Sequence, residues 1–186
     1  MKLLLIRHAP TPSTRRAAFA IEETLDEAGL QQAADLRTRL PRRVDRWLCS
    51  PAKAACDTVR TAGFPAEVDF DLGECDFGSW AGRTLEEVEA ADPEGLQSWF
   101  DDPRAVPHGG ESIGQMVERV RRLLDRVRND PGTTGAVTHA GVIRAAVVVA
   151  LEAPEKSFWR IDIAPLSVTE LHSSGYGWRL ACVNRS

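Results

Sequence analysis

The sequence predicts an α/β fold: a mostly parallel sheet with helices on both faces. Two observations carry this. Short apolar runs without polar alternation recur along the chain, as in strands buried on both faces. Between them lie longer segments with apolar residues at helical spacing, and such alternation belongs to parallel sheets. The 186 residues are expected to form one domain over 1–186 with a substantial core.

The elements follow in order. Lys2 to Ile6 reads as a short buried strand that ends at Arg7-His8. The stretch 25–41 reads as a helix, with Leu30, Ala33, Ala34, Leu36 and Leu40 as its apolar face and Pro41 as its stop. "DRWLCSP" is a second strand, ended by Ser50-Pro51. "AKAACDTVRTAG" is a helix closed by Gly63 as a left-handed cap. "AEVDFDLGE" is a third strand, which places Glu74 at its end. Residues 75–110 carry glycines, prolines, Trp80 and Trp99, and read as a partly helical excursion with two short helices. "ESIGQMVERVRRLLDRVRND" is the strongest helical pattern. "GAVTHAG" is a strand and turn that presents His139, and "VIRAAVVVAL" is the helix after it. The tail over 158–183 reads as two strands around "SSGYG", adding antiparallel pairing at one edge.

Composition excludes several classes. A net charge of −4 gives no electrostatic reason to expect nucleic acid or an anionic membrane as partner. The pairs Arg42-Arg43 and Arg121-Arg122 read as solvated surface. Arg7 and His8 interrupt the first apolar run too early for a signal peptide, and no run is long enough to span a bilayer, so the expectation is a cytoplasmic protein. Cys49, Cys56, Cys75 and Cys182 form no CxxC pair and read as reduced thiols. Nothing resembles a metal cage, a Walker sequence or GxGxxG, so no cofactor is expected.

Active sites of such sheets lie at the carboxyl ends of the strands. Here those ends carry Arg7-His8, Ser50-Pro51, Glu74 and His139. Taken singly, each has a bland alternative as a structural histidine or a surface acid. Together they suit phosphoryl transfer. A neutral imidazole is a nucleophile toward phosphorus, and its phosphorylated form is a leaving group for water. Arg7 offers a fixed fork of donors to phosphoryl oxygens. His139 and the helix-terminal amide at Ala140 can hold oxygens that gain charge. Glu74 can protonate a departing alkoxide and then deprotonate water.

"LLLIRHAPT" resembles the arginine-histidine signature of the histidine phosphatase superfamily, which includes the cofactor-dependent phosphoglycerate mutases. "LDEAGLQQA", "CSPAKAACDT", "LGECDFGSWAGRT", "PHGGES" and "VTHAGVIR" resemble further segments of that family, in its order and over nearly the whole chain. The resemblance implies a three-layer αβα sandwich of the phosphoglycerate mutase type. It implies His8 as the residue that becomes phosphohistidine, Arg7 and His139 as its phosphate pocket, Glu74 as proton donor, and Thr14 at a phosphate-contacting position. Short chains with a "GGES"-like segment resemble the family's phosphatases, among them α-ribazole and broad-specificity phosphatases, so hydrolysis of a small phosphorylated metabolite is expected.

One departure stands out. Ala54 occupies the position where the family normally has a second phosphate-binding arginine. Three readings follow: another cation (Arg15, Arg16, Lys53 or Arg83) fills the gap, the substrate is unusual, or the pocket is a weak catalyst or binds phospholigands without turnover. A mutase of the same family is the remaining alternative. His108 is a candidate substrate contact near the pocket mouth. Trp80 and Trp99 read as core, His172 as structural or exposed, and Asp57 as a surface charge.

Overall fold

The structure, a computed structural model, describes residues 1–41 and 43–186. Its six-stranded sheet has the order β3-β2-β4-β1-β5-β6. Strands β1 (Lys2–Arg7), β2 (Arg46–Cys49), β3 (Ala66–Val68) and β4 (Thr133–Thr138) are parallel. The hairpin of β5 (Val168–Ser174) and β6 (Gly177–Arg185) adds antiparallel pairing beside β1, as expected.

Strand β1 shows why the fold has three layers. Successive side chains point to opposite faces. Leu3 and Leu5 join one buried core, with Ile113, Val117 and Leu124 of helix α6 (Ile113–Val127) and Ile143 of α7 (Ala140–Ala150). Leu4 and Ile6 join a second core on the other face, with Ala33 of α2 (Glu27–Ala34) and Ala55 and Val59 of α3 (Lys53–Thr61). With both faces covered, β1 has no place for an alternating polar residue. Gly63, at φ +69°, follows α3 as the left-handed cap the sequence implies.

Three expectations are corrected. The helix over 25–41 ends at Ala34 and continues as a 3₁₀ turn, Asp35–Arg39. That tightening buries Leu36 and Leu40, while Leu30 and Ala34 face outward. The third strand stops at Val68: the Asp69 carboxylate accepts from the Asp71 N–H and winds the chain into the 3₁₀ turn Phe70–Leu72. Phe70 is consequently 80% exposed and Leu72 buried. The tail begins with a 3₁₀ segment, Glu155–Arg160, before β5 starts at Val168.

The excursion forms two short helices, α4 (Leu85–Ala91) and α5 (Pro93–Asp101), as expected. Arg121 and Arg122 are exposed on α6. Arg43 pairs with Asp45, and Arg42 lies outside the described residues. Among the described residues no helix is long and apolar enough to cross a membrane.

Candidate active site

Three of the four loaded positions lie at neighbouring strand ends. β4 runs between β1 and β2, so His8, Ser50 and His139 follow adjacent strands. The His8 N–H continues the ladder to the Thr138 carbonyl at 2.8 Å. The rings of His8 and His139 meet edge to face with centroids 4.9 Å apart.

The hydrogen bonds define both tautomers. His8 Nδ1 lies 2.7 Å from the Ala9 carbonyl oxygen. A carbonyl can only accept, so Nδ1 carries the proton and Nε2 keeps its lone pair. The Ala9 amide in turn donates to Thr58 Oγ1 at 3.0 Å, which fixes the loop after the strand. His139 Nε2 lies 2.8 Å from the hydroxyl of fully buried Ser50. That hydroxyl also accepts from the Ala52 N–H, and among the described residues Nε2 is the acceptor within reach of its own proton, which it donates there. His139 therefore carries its proton on Nδ1, which is buried without a partner in the protein. An orphaned buried donor of this kind points to a ligand oxygen.

Both imidazoles are neutral at neutral pH. Burial pushes His8 down to about 3, with His139 and Arg7 adding to the effect. Burial and the Arg7 and Arg119 charges push His139 down to about 3 as well.

Arg7 Nη1 donates to the Ile163 carbonyl at 2.6 Å, and its buried Nε has no partner in the protein. Glu74 reaches the site from the turn after Phe70–Leu72 rather than from a strand end. Its Oε2 accepts from the Gly141 N–H at 3.3 Å and its Oε1 from the Cys75 N–H at 3.0 Å. Arg119 of α6 secures that turn. It donates to the Asp71 and Gly73 carbonyls and pairs with Glu111 through two hydrogen bonds.

These groups line one cavity of about 390 Å³. Arg7, His8, Glu74 and His139 line it together, with Thr14, Glu23 and Ala54 also on the wall. Thr14 Oγ1 is engaged with the Thr11 hydroxyl at 2.8 Å in the capping box of helix α1 (Pro12–Arg15). Ala140 does not line the cavity; its neighbour Gly141 instead holds Glu74. Phe19, Phe77, Trp99, Phe100 and Trp159 form an aromatic wall.

None of Arg15, Arg16, Lys53 and Arg83 lines this cavity. Arg15 pairs with Asp26, and Arg83 donates to the Glu87 carbonyl. The second cation on the wall is Arg144. His108 is buried behind the aromatic wall, against Trp80 and Trp99, with its Nδ1 accepting from the Gly110 N–H. It is thus a core residue and not a contact at the pocket mouth. Trp99 is both core and wall, while Trp80 is core alone. Asp57 is buried and holds the Leu25 N–H and Arg60, so it is no surface charge. His172 pairs with Glu170 in the tail.

The family model of the histidine phosphatase superfamily (branch 1) matches residues 3–186. This chain belongs to that superfamily. A bifunctional protein of Mycobacterium tuberculosis is 35% identical over 186 residues, covering 94% of this chain and 51% of that protein. The chain thus spans about half the length of that relative. The glucosyl-3-phosphoglycerate phosphatase of Mycolicibacterium vanbaalenii is 30% identical over 169 residues, covering 82% of this chain and 75% of that protein. Among solved structures, the α-ribazole phosphatase of Shigella flexneri superposes with a TM-score of 0.86 at 25% identity, covering 100% of this chain and 96% of that one.

Sequence reasoning on this histidine phosphatase chain missed four contributors. Ser50 was seen at a strand end without a role, and its bond to His139 crosses 89 positions of sequence. Arg119 looks like any charge on an amphipathic helix. Arg144 sits inside an apolar helical run. The segment carrying Phe19 has no periodic pattern; its path is set by pairing with Gly82 and Arg83.

Proposed function

We propose that this chain is a phosphomonoester hydrolase that acts on a small phosphorylated metabolite through a phosphohistidine at His8. The observation that carries the reading is the pair of buried, neutral imidazoles, with the His8 lone pair held on Nε2 beside Arg7 and the unpartnered His139 Nδ1–H. His8 Nε2 forms the bond to phosphorus while the bond from phosphorus to the ester oxygen breaks. The proton that this oxygen takes up is delivered through the Glu74 carboxyl. Phosphorylation makes the imidazole cationic, and the Ala9 carbonyl that accepts from Nδ1–H favours that charge. Arg7 and His139 donate to the phosphoryl oxygens as they gain charge. Water then gives a proton to Glu74, its oxygen attacks phosphorus, and the nitrogen–phosphorus bond returns its electron pair to His8. The names of the relatives support hydrolysis of a phosphorylated small molecule. Four free cysteines suit a reducing, cytoplasmic setting.

The test is release of p-nitrophenol from p-nitrophenyl phosphate between about pH 5 and 8, with detection of acid-labile phosphoprotein. Turnover that His8→Ala abolishes is expected. Equal rates in the parent and His8→Ala would remove the hydrolase reading and favour the phospholigand-binding alternative that Ala54 suggests.

A further inference from the structure

We infer that Arg119 is the positioning residue of the proton donor, and that the Glu111–Arg119 pair sets how well the site expels a strongly basic alkoxide. The inference rests on the hydrolase reading for the role of Glu74.

Glu74 is held by something other than the sheet. Strand β3 ends well before it, at Val68, and the chain between winds through the turn Phe70–Leu72. A proton donor must keep within hydrogen-bond reach of the departing oxygen, so the turn that carries it must be fixed. The carboxylate itself accepts from the Cys75 and Gly141 N–H groups. The backbone beneath it is tied to α6 and to the residue just ahead of that helix. Arg119 Nη1 donates to the Asp71 carbonyl at 2.7 Å and to the Gly73 carbonyl at 3.0 Å. Beyond Glu74, the Glu111 N–H donates to the Asp76 carbonyl at 2.8 Å, and the Cys75 thiol to the Glu111 carbonyl at 3.1 Å. Arg119 and Glu111 then close the ring. Arg119 Nε and Nη2 meet the two Glu111 carboxylate oxygens at 2.9 and 2.8 Å. The turn is thus gripped before and after Glu74 by two residues that also grip each other.

Neither Glu111 nor Arg119 lines the catalytic cavity. Both line a separate groove that shares Glu74 with it, so they act through Glu74 and not on the substrate. Their side chains are only 19% and 15% exposed, which shields the forked pair from water and keeps its geometry. Arginine alone has the donors for this, one nitrogen for the carbonyls and two for the carboxylate. Proton delivery matters in proportion to the basicity of the departing oxygen. A nitrophenolate leaves without the proton, whereas an alkoxide needs it. Displacing Glu74 therefore slows the release of an alkoxide far more.

Two esters of similar shape test this, p-nitrophenyl phosphate and p-nitrobenzyl phosphate, whose departing oxygens differ in basicity. Both are compared by kcat/KM, which reports phosphorylation of His8 and not the later attack of water. Glu74→Gln calibrates the assay, with a loss about a hundredfold greater on the benzyl ester. Arg119→Gln should lose about tenfold more on the benzyl ester than on the phenyl ester. The paired variant Glu111→Gln with Arg119→Gln leaves no buried charge unpaired, and should show the same selective loss even where the single variant does not fold. Arg119→Lys, which keeps the charge and loses the fork, should recover only part of it. Circular dichroism establishes that each variant is folded before rates are compared. Losses in the Arg119 variants that fall alike on both esters, while Glu74→Gln discriminates, retire this inference alone. Equal losses in Glu74→Gln remove Glu74 as proton donor and this inference with it, while turnover that needs His8 keeps the hydrolase reading. Absence of turnover of both esters by the parent retires both.

Discussion

Lowering the pH from about 7.5 to 5.5 should destabilise this protein through two residues, His8 and His139. Both have folded values of about 3 against an ordinary 6.5. A depressed folded value means that the unfolded chain takes up the proton first. Stability is therefore full above about pH 6.5 and is lost as the pH falls toward 3. At about pH 5.5 each unfolded imidazole is roughly nine-tenths protonated while its folded counterpart is neutral. That difference costs about 1.4 kcal/mol per residue, or about 2.7 kcal/mol for the pair. The figure depends on the folded values lying below about 5, not on their exact position. His108, depressed by burial, adds in the same direction. Carboxylates scarcely contribute in this window. Their ordinary values are 3.8 for Asp and 4.5 for Glu, and Asp26, Asp45 and Glu87 are held lower, by Arg15, the Thr133 N–H and the Thr84 N–H respectively. Urea unfolding followed by circular dichroism should show the midpoint fall by about 1 M across the window. His8→Ala and His139→Ala should each remove about half of the change, whatever they do to stability at pH 7.5. A midpoint that stays flat from pH 7.5 to 5.5, or a slope untouched by both substitutions, would refute the claim that these imidazoles are buried neutral.

Three further predictions concern rate and affinity. In Gly141→Ala the new Cβ would lie 2.2 Å from Glu74 Oε1, the movable end of a side chain. The melting temperature should shift little while turnover falls about a hundredfold, since Glu74 is pushed off its position; a melting shift without a rate change would count against Glu74 as proton donor. Ser50→Ala removes the proton that holds the His139 tautomer, so kcat should fall about tenfold or more with KM moved far less. A loss confined to KM would contradict that role. Ala54→Arg adds a donor to the cavity wall, and inhibition by inorganic phosphate should tighten about tenfold. An unchanged inhibition constant would mean that position 54 does not face the phosphate.

Legibility in the sequence followed the range of the interactions. Leu3 to Ile6 are buried on both faces, so local pattern alone revealed the strand and its abrupt end at Arg7-His8. The pattern of α6 is the strongest in the chain because Ile113, Met116, Val117, Val120, Leu123, Leu124 and Val127 recur at helical spacing and all seven are buried. Glu74 was found but misplaced. One Asx turn at Asp69 ends the strand at Val68, short of the span over which "AEVDFDLGE" reads as strand. Asp57 and His108 were misjudged for a common reason. A charged or polar residue in a loop-rich or amphipathic context looks exposed until its partner, the Leu25 N–H for Asp57 or the rings of Trp80 and Trp99 for His108, is brought to it from elsewhere in the chain. Arg144 is the limiting case. Its meaning depends on the carbonyl of Ile161 and the ring of Phe158, and the turn that carries them has no periodicity to read.

The missing arginine at Ala54 takes on a different meaning in this setting. A phosphate dianion must be met by fixed positive charge, and the two histidines supply none while they are neutral. Burial cannot be relaxed to charge them, because protonating His8 would take away the lone pair that attacks phosphorus. The cavity therefore relies on guanidinium groups, which stay charged under the same desolvation that silences imidazole. Arg7 and Arg144 are the two on its wall, while position 54 carries only a methyl group. The loss of a guanidinium at position 54 thus leaves the fixed positive charge of this cavity to Arg7 and Arg144.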